Sequence, residues 1–417
     1  MKKIIILVLI SASFEVFASG GSIYTRYGLG DLTFGNSARK LSLGSIGSAI
    51  LKPDFINPNN PASWSKINQT RFESGFTFSS FSMQDKSGED RQTNFNFQGF
   101  SVAFPIQKDY GITLAAGIAP ITNVEYSVSS AIDNPDTSFI DSKLNTLLTG
   151  KGGLSKFYVG LSYSMYDINF GLSFDYYSGK NEYLSTLDFT NNFDYLDVSY
   201  TKRYNYSGIG TTFGLISPDL TNFVKLGNSI SNFRIGMTLN VSGELKTDTS
   251  LVKKTYIGEL VTLEGKTKTK LPYSFSFGTS FNLNKEYLIV LDYLYQPWTE
   301  YKINNKFDKN LTDLNKFTLA FEYQNMDKRL STSFWSQVEF RGGLNYEQTQ
   351  YQIQSKNINS YSVFGGISMP LGVGNTIDIS LEYGVRGERT SGLVKENFIN
   401  SIISISLGEL WFFRPER

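Results

Sequence analysis

The stretch Lys156-Phe-Tyr-Val-Gly-Leu-Ser-Tyr-Ser-Met165 alternates large apolar residues with residues that are mostly small or polar. Successive side chains of a β-strand point to opposite faces, so this period of two places the apolar set on one face. One apolar face and one small, polar face are typical of a membrane β-barrel strand, which has lipid outside and the lumen inside. The stretch therefore predicts a transmembrane strand.

The same alternation recurs along the chain, and we count fourteen runs of this kind. The runs span residues 71–83, 94–104, 110–128, 154–166, 168–189, 204–216, 231–246, 270–283, 287–301, 314–324, 335–349, 357–369, 375–389 and 398–410. The sixth run is the weakest, and its neighbours could absorb it. An even count suits a barrel whose two ends lie on the same side. We predict an all-β fold, a transmembrane antiparallel β-barrel of about 14 strands.

The lengths of the connections between runs support this prediction. Four predicted inner turns are short, at residues 105–109, 167, 284–286 and 370–374. The predicted outward connections are longer and polar, at residues 84–93, 129–153, 190–203, 247–269 and 302–313. Two inner connections, 217–230 and 325–334, are longer than expected, and residues 220–230 predict a short helical turn. A soluble β-sandwich or propeller, the alternative, does not explain this asymmetry.

Composition limits the function. Net charge is +1 over 417 residues, without the basic excess that a nucleic-acid partner requires. The chain has no cysteine and no histidine. Hydrolases with a Ser-His or Asp-His pair are therefore excluded, as are thiolate and imidazole metal sites. We predict that the protein is not an enzyme and has no metal or cofactor.

The N-terminus predicts a secretory signal peptide. Two lysines precede the apolar run 4–10, and Val16 and Ala18 are small residues placed for cleavage after Ala18. The run is too short to span a bilayer, which disfavours a membrane anchor. The predicted domains are a signal peptide at 1–18, an N-terminal hatch or plug at 19–68, and a transmembrane barrel at 69–417.

The hatch prediction depends on the Gly-rich segment before the first strand. Small residues recur through it, which allows close backbone packing against other parts of the protein. Pro58 and Pro61 forbid a regular helix or a central strand. An irregular segment of this kind is stable only if the barrel interior buries it.

Several inward positions are apolar. Leu288, Val290 and Leu294 interleave with a second apolar set in the ninth run, and Phe364 lies among polar residues. An apolar lining indicates a path for a hydrophobic ligand. The alternative is that these side chains simply fill the interior against the plug.

The third run contains a break at Gly117 and Pro120. Proline cannot donate to a β-ladder, so a closed sheet must have a bulge, kink or gap there. A side opening in the barrel wall is one reading. A kink near the membrane rim, where pairing ends anyway, is the other.

The signal peptide, the Gly-rich segment, the triplet Asn60-Pro61-Ala62 and the fourteen runs together resemble the FadL/TodX family of outer-membrane hydrocarbon transporters. The opening Ser22-Ile-Tyr-Thr-Arg-Tyr-Gly-Leu-Gly-Asp31 looks like members from Bacteroidetes-type bacteria. The resemblance implies a fourteen-stranded barrel, an N-terminal hatch, capture of fatty acids from outside and lateral exit through a kinked third strand. It assigns Asn60, Pro61 and Ala62 to the hatch, and Gly117 and Pro120 to the lateral opening.

We therefore predict a channel in the bacterial outer membrane for passive uptake of long-chain fatty acids or similar hydrophobic molecules. Its predicted partners are the lipid bilayer and a hydrophobic ligand, with no nucleic acid. The alternative is a non-transporting barrel that acts as a scaffold or shuttle in protein secretion, with secretion-machinery proteins as partners. A large, structured outer surface would favour this alternative.

Overall fold

A computed structural model describes most of the chain. The described residues are 21–34, 37–86, 88–132, 144–188, 197–225, 227, 229–255, 258–325, 333–372, 374–389 and 392–409. The predicted signal peptide lies outside the described residues. Within these ranges, no helix is both long and apolar enough to cross a membrane.

One nineteen-stranded sheet makes up the body of the molecule. Its strands are β1 (Asp31–Leu32), β2 (Thr70–Gln84), β3 (Glu89–Gln107), β4 (Ile112–Ile132), β5 (Leu144–Met165), β6 (Ile168–Asp188), β7 (Val198–Ile216), β8 (Ile230–Ser242), β9 (Leu245–Thr255), β10 (Gly258–Lys270), β11 (Ser274–Leu283), β12 (Tyr287–Gln296), β13 (Lys302–Ile303), β14 (Lys306–Phe307), β15 (Leu314–Tyr323), β16 (Glu339–Ile353), β17 (Lys356–Gly372), β18 (Asn375–Arg386) and β19 (Lys395–Glu409). The helices are α1 (Ala38–Leu41), α2 (Thr221–Val224) and the 3-10 helices Ile23–Arg26, Pro61–Lys66, Trp298–Glu300 and Trp335–Gln337.

The strands from β2 onward form a closed antiparallel barrel. Four barrel strands are interrupted, so β8 continues as β9, β10 as β11, β12 as β13 and β14 as β15. Fourteen barrel strands result. The last strand pairs with the first, from Lys395 opposite Gln84 to Glu409 opposite Thr70. The predicted fourteen-stranded barrel is confirmed, and its sixth run is the full-length strand β7.

The two faces of the wall differ as the alternation predicts. On β5, Phe157, Val159 and Leu161 are 42–50% exposed on the outside. Their neighbours Lys156 and Tyr158 are 3% exposed and point inward. The apolar outer surface matches a hydrocarbon environment, and a closed barrel leaves no strand edge exposed at its seam.

The prediction of long loops in the outward connections is largely wrong, because strands extend into these residues. Residues 247–269 lie in the hairpin of β9 and β10, and β4 and β5 cover much of 129–153. Most of β10 is exposed on both faces, so its sequence lacks the alternation of a half-buried strand. The short helix α2 does lie in the longer inner connection where a helical turn was predicted.

Candidate functional site

The chain that precedes β2 crosses the barrel lumen. We call residues 21–34 and 37–69 the interior segment. Its 3-10 helix Pro61–Lys66 packs against β4, β5, β6 and β7, whereas α1 packs against β17, β18 and β19 on the other side. Residues 37–50 are buried without exception. The interior segment therefore fills the lumen at this level; the domain boundaries at 18 and 68 stay predictions.

A buried ion cluster anchors the interior segment to the wall. Arg341 on β16 donates from Nε to Glu322 at 2.7 Å, and from Nη2 to Glu339. Arg39 of α1 binds Asp54 at 3.0 Å and lies 3.9 Å from both wall carboxylates. The side chains of Arg341, Glu322 and Glu339 are at most 1% exposed. Removal of one partner would leave an unpaired buried charge, which is costly.

Charge pairing decides the protonation of Arg39 and Asp54 at this cluster. Burial alone would raise the pKa of Asp54, but Arg39 and then Lys52 outweigh burial and hold it well below its usual range. Burial alone would lower the pKa of Arg39, but Asp54 and Glu339 outweigh burial and raise it. Both side chains are therefore charged at neutral pH. In the described part of the chain, no group of three or more carboxylate, imidazole or thiol side chains is arranged to hold a metal ion.

The Asn60-Pro61-Ala62 triplet begins the 3-10 helix Pro61–Lys66. The Asn60 side chain accepts from the Ala62 amide at 3.0 Å and donates to the Ser48 carbonyl at 2.5 Å. Pro61 occupies the first helical turn, where its missing N–H costs nothing. The triplet thus joins two parts of the interior segment, and Trp64 beyond it stacks on Tyr158 of β5.

Glycines in the wall let this region approach the strands closely. A Cβ on Gly171 of β6 would lie 2.2 Å from the Ala62 nitrogen. A Cβ on Gly214 of β7 would lie 2.1 Å from Asn60 Oδ1, and one on Gly236 of β8 would lie 2.1 Å from the Ser48 carbonyl oxygen. Three neighbouring strands therefore lack a side chain where the interior segment docks.

Asp292 is a site residue that the sequence reasoning missed. Its carboxylate accepts from the amides of Gly47 and Ser48 at 2.9 and 3.0 Å. It is the acidic residue of the otherwise apolar run Tyr287–Tyr295 and faces inward. A charge in such a strand requires a specific interior partner, and that is the signal that would have identified it.

The predicted ligand-path residues pack against the interior segment. Val290 and Phe364 are buried in one cluster, with Leu288 packed against it. The cluster also contains Leu43, Ile50 and Phe55 of the interior segment. The side chains of Leu288, Val290 and Phe364 therefore fill the interior against this segment, which is the alternative to a ligand path. Leu294 belongs to a different cluster and lines a cavity of about 100 Å³ beside the interior segment.

The ladder between β3 and β4 stops partway up the wall. It runs from Gln107 opposite Ile112 to Phe100 opposite Ile118, and neither strand pairs with the other beyond that point. Gly99 of β3 has φ +84, and a Cβ there would lie 1.9 Å from the Ile118 carbonyl oxygen. A bulge in β3 at this left-handed glycine thus marks where the strands separate.

The two residues predicted at a lateral opening lie on either side of this point. Gly117 is within the ladder, opposite Ser101 of β3. Pro120 lies above it, where the register with β5 shifts between Pro120 and Thr122. The kink is therefore shared between β3 and β4.

The interior segment occupies the edge of β4 that β3 leaves. Strand β1 pairs there, with Asp31 opposite Asn123 and Leu32 opposite Thr122. The Thr33 amide then donates to the Ile121 carbonyl at 2.8 Å. Asp31 is in turn held by Arg386, whose Nη1 lies 2.9 Å from its carboxylate. We call the unpaired stretch between β3 and β4 the β3–β4 gap.

An interior cavity of about 400 Å³ reaches the β3–β4 gap. Asn94 and Gln98 of β3 line it on one side, and Pro120 and Asn123 of β4 on the other. Its volume is in the range of sites for small molecules. The gap is crossed by the side chain of Gln92, whose amide donates to the Ser127 carbonyl at 2.6 Å.

A family model described as BamG matches residues 1–416 of the chain. No curated protein matches the chain in sequence. Solved structures with this fold include the toluene transporter TodX of P. putida, with 16% identity and a TM-score of 0.58 over 91% of this chain and 100% of TodX. The toluene transporter TbuX of Ralstonia pickettii has 17% identity and a TM-score of 0.56 over 90% of this chain and 98% of TbuX.

A FadL homologue of Pseudomonas aeruginosa has 10% identity and a TM-score of 0.57 over 90% of this chain and 98% of the homologue. The resemblance to FadL/TodX barrels is confirmed for the fold, although the matching family model has another name. The Bacteroidetes-type origin stays a prediction.

Proposed function

Since the chain belongs to the BamG family and has the fold of a bacterial outer-membrane barrel, we propose that it passes hydrophobic molecules, including long-chain fatty acids, through the outer membrane by lateral release. The proposed route enters the lumen from outside, reaches the interior cavity, and leaves sideways between β3 and β4. The interior segment acts as the hatch on this route, and no catalytic step is involved.

The observation that carries this proposal is the common position of the cavity and the β3–β4 gap. The ladder ends at Phe100 and Ile118, and the cavity is lined by both strands above that level. On the outside, Phe95 and Phe97 of β3 are 54% and 50% exposed beside the gap. A hydrophobic tail that leaves the cavity there meets apolar side chains, and each buried methylene contributes about 0.8 kcal/mol.

Lateral release requires movement of the interior segment. Residues 31–33 occupy the free edge of β4, and Asp31 is tied to both Arg386 and the Tyr351 hydroxyl. A ligand that displaces β1 must break these contacts but keeps the lower ladder intact. The ion cluster around Arg341 can hold the rest of the interior segment in place meanwhile.

A cross-link across the gap tests the exit. The chain has no cysteine, so replacing Gln92 and Ser127 by cysteine introduces a single reactive pair. In cells lacking their own outer-membrane fatty-acid transporter, we expect the unlinked variant to take up labelled oleate above the empty-vector background. Joining the pair with a short bis-maleimide should reduce uptake to background, because the strands can no longer part.

Each single-cysteine variant, treated with the same reagent, is the matched control and should keep its uptake. Unchanged uptake by a fully linked barrel would show that the exit is elsewhere. Background uptake by the unlinked, folded barrel would remove oleate as a substrate.

A scaffold or shuttle in protein secretion is the second candidate, and one observation favours it. Strands β9 and β10 form an ordered hairpin, and β10 is exposed over nearly its whole length. Leu260, Val261 and Leu263 are 55–64% exposed on it. This is the structured outer surface that the scaffold requires, and a background result in the oleate assay would make it the leading candidate.

A further inference from the structure

The interior cavity at the β3–β4 gap is lined mainly by amide and hydroxyl side chains. Among them are Thr77, Asn94, Asn96, Gln98, Asn123 and Asn400. We propose that this cavity binds an uncharged, hydroxyl-rich group, a sugar. The inference deepens the proposed function, since a sugar could be the head of a molecule whose tail leaves through the gap, but binding itself requires no transport.

Unpartnered polar atoms point to such a ligand. Thr77, Asn94 and Gln98 are 3–6% exposed. The hydroxyl of Thr77 and the amide oxygens of Asn94 and Gln98 have no hydrogen-bond partner among the described residues. A buried polar atom without a partner costs about 1–3 kcal/mol, so three such atoms in one cavity favour a ligand that supplies hydrogen bonds. Sugar hydroxyls both donate and accept, and therefore fit either orientation of an amide.

Charge in the cavity favours a neutral group over a carboxylate. Arg386 binds Asp31 at 2.9 Å and Glu396 at 2.7 Å. Lys316 lies 3.4 Å from Glu347. Both cations that line the cavity in the described structure are thus already paired, and an ionised carboxylate would have to break an existing ion pair.

Aromatic residues complete the site. Phe34 of the interior segment and Phe81 of β2 line the same cavity. Flat apolar rings of this kind can pack against the C–H face of a sugar, while the amides bind its hydroxyls. An unbranched hydrocarbon that passes through the cavity leaves the amides without partners, so it binds there less tightly than a molecule with a sugar head.

Binding to the purified barrel tests the inference. The protein is prepared in a polyoxyethylene detergent, which has no sugar, and octyl glucoside is added below its micelle concentration. Native mass spectrometry then compares octyl glucoside with glucose, octanoate and octanol. We expect octyl glucoside to bind at least tenfold more tightly than octanoate or octanol, which corresponds to about 1.4 kcal/mol.

Two variants locate the binding. Asn94→Leu combined with Gln98→Leu should weaken octyl glucoside about tenfold, whereas Asn357→Leu, at an exposed position of β17, should leave it unchanged. Ser79→Phe should abolish binding by filling the cavity, which Ser79 lines. It serves as a second variant if the double replacement does not fold.

The four ligands distinguish a free sugar, a lipid head group and an apolar chain as the molecule that the cavity binds. Equal affinity for glucose and octyl glucoside identifies a free sugar as the ligand, and preference for octyl glucoside identifies a lipid head group. Octanoate or octanol as tight as octyl glucoside, no binding at all, or full affinity in both cavity variants would overturn the inference. Because no uptake is measured, these results are independent of oleate transport.

Discussion

Arg341→Met is expected to lower the free energy of unfolding by about 3–5 kcal/mol, because it leaves buried carboxylates without their main partner. Arg341 donates to Glu322 from Nε and to Glu339 from Nη2. Two cations of the interior segment remain near these carboxylates. Lys52 binds only Glu322, and Arg39 is 3.9 Å from each carboxylate, so neither replaces the direct hydrogen bond to Glu339. Urea-induced unfolding of the purified barrel, followed by the heat-modifiable mobility of folded barrels on gels, measures the change.

The matched control is Lys268→Met, which removes a cation from the ion pair with Glu244. That pair has an N–O distance of 2.8 Å but is exposed on both sides. Water solvates the remaining carboxylate, so the unfolding curve should not move. An Arg341→Met barrel as stable as the control would show that the cluster does not hold the interior segment.

Gly171→Ala is expected to displace the interior segment from the wall. The new Cβ would lie 2.2 Å from the backbone of Pro61 and Ala62, and backbone atoms cannot swing aside as a flexible side chain can. Overpacking of this kind typically costs about 1–3 kcal/mol. We expect the 3-10 helix Pro61–Lys66 to move away from β6 and to expose Trp64.

Trp64 reports the displacement directly because it is fully buried. In a barrel whose other three tryptophans are phenylalanine, the emission of Trp64 should shift to the red and become accessible to iodide. Gly365→Ala is the control, since a Cβ there meets its nearest heavy atom, the Arg341 carbonyl oxygen, at 3.6 Å. Identical emission from both variants would contradict tight docking of the triplet.

The barrel was predictable because its main signal is local and periodic. The alternation in Lys156–Met165 follows directly from lipid on one side and a crowded lumen on the other. Where both faces of a strand meet water, as on β10, the period disappears, and residues 247–269 were predicted as a loop. The periodicity therefore does not predict how far a strand extends beyond the membrane.

The candidate site was only partly predictable. Pro120 is conspicuous because proline lacks an N–H, and it does lie at the β3–β4 gap. The bulge at Gly99 depends on a positive φ, which one glycine among 37 does not reveal. The contact of Gly171 with Ala62 depends on pairing between distant parts of the chain, and no local pattern encodes it.

The order of elements along the chain also constrains how the protein assembles. Ser22 donates to Glu396 across 374 positions, and the seam joins the last strand to the first. Contacts between such distant residues form slowly, because a long loop must close before they contribute. The N-terminal part is synthesised first but acquires its final partners only when β19 arrives. A chain truncated before β19 therefore lacks both the strand that closes the wall and the Glu396 carboxylate that binds the start of the interior segment.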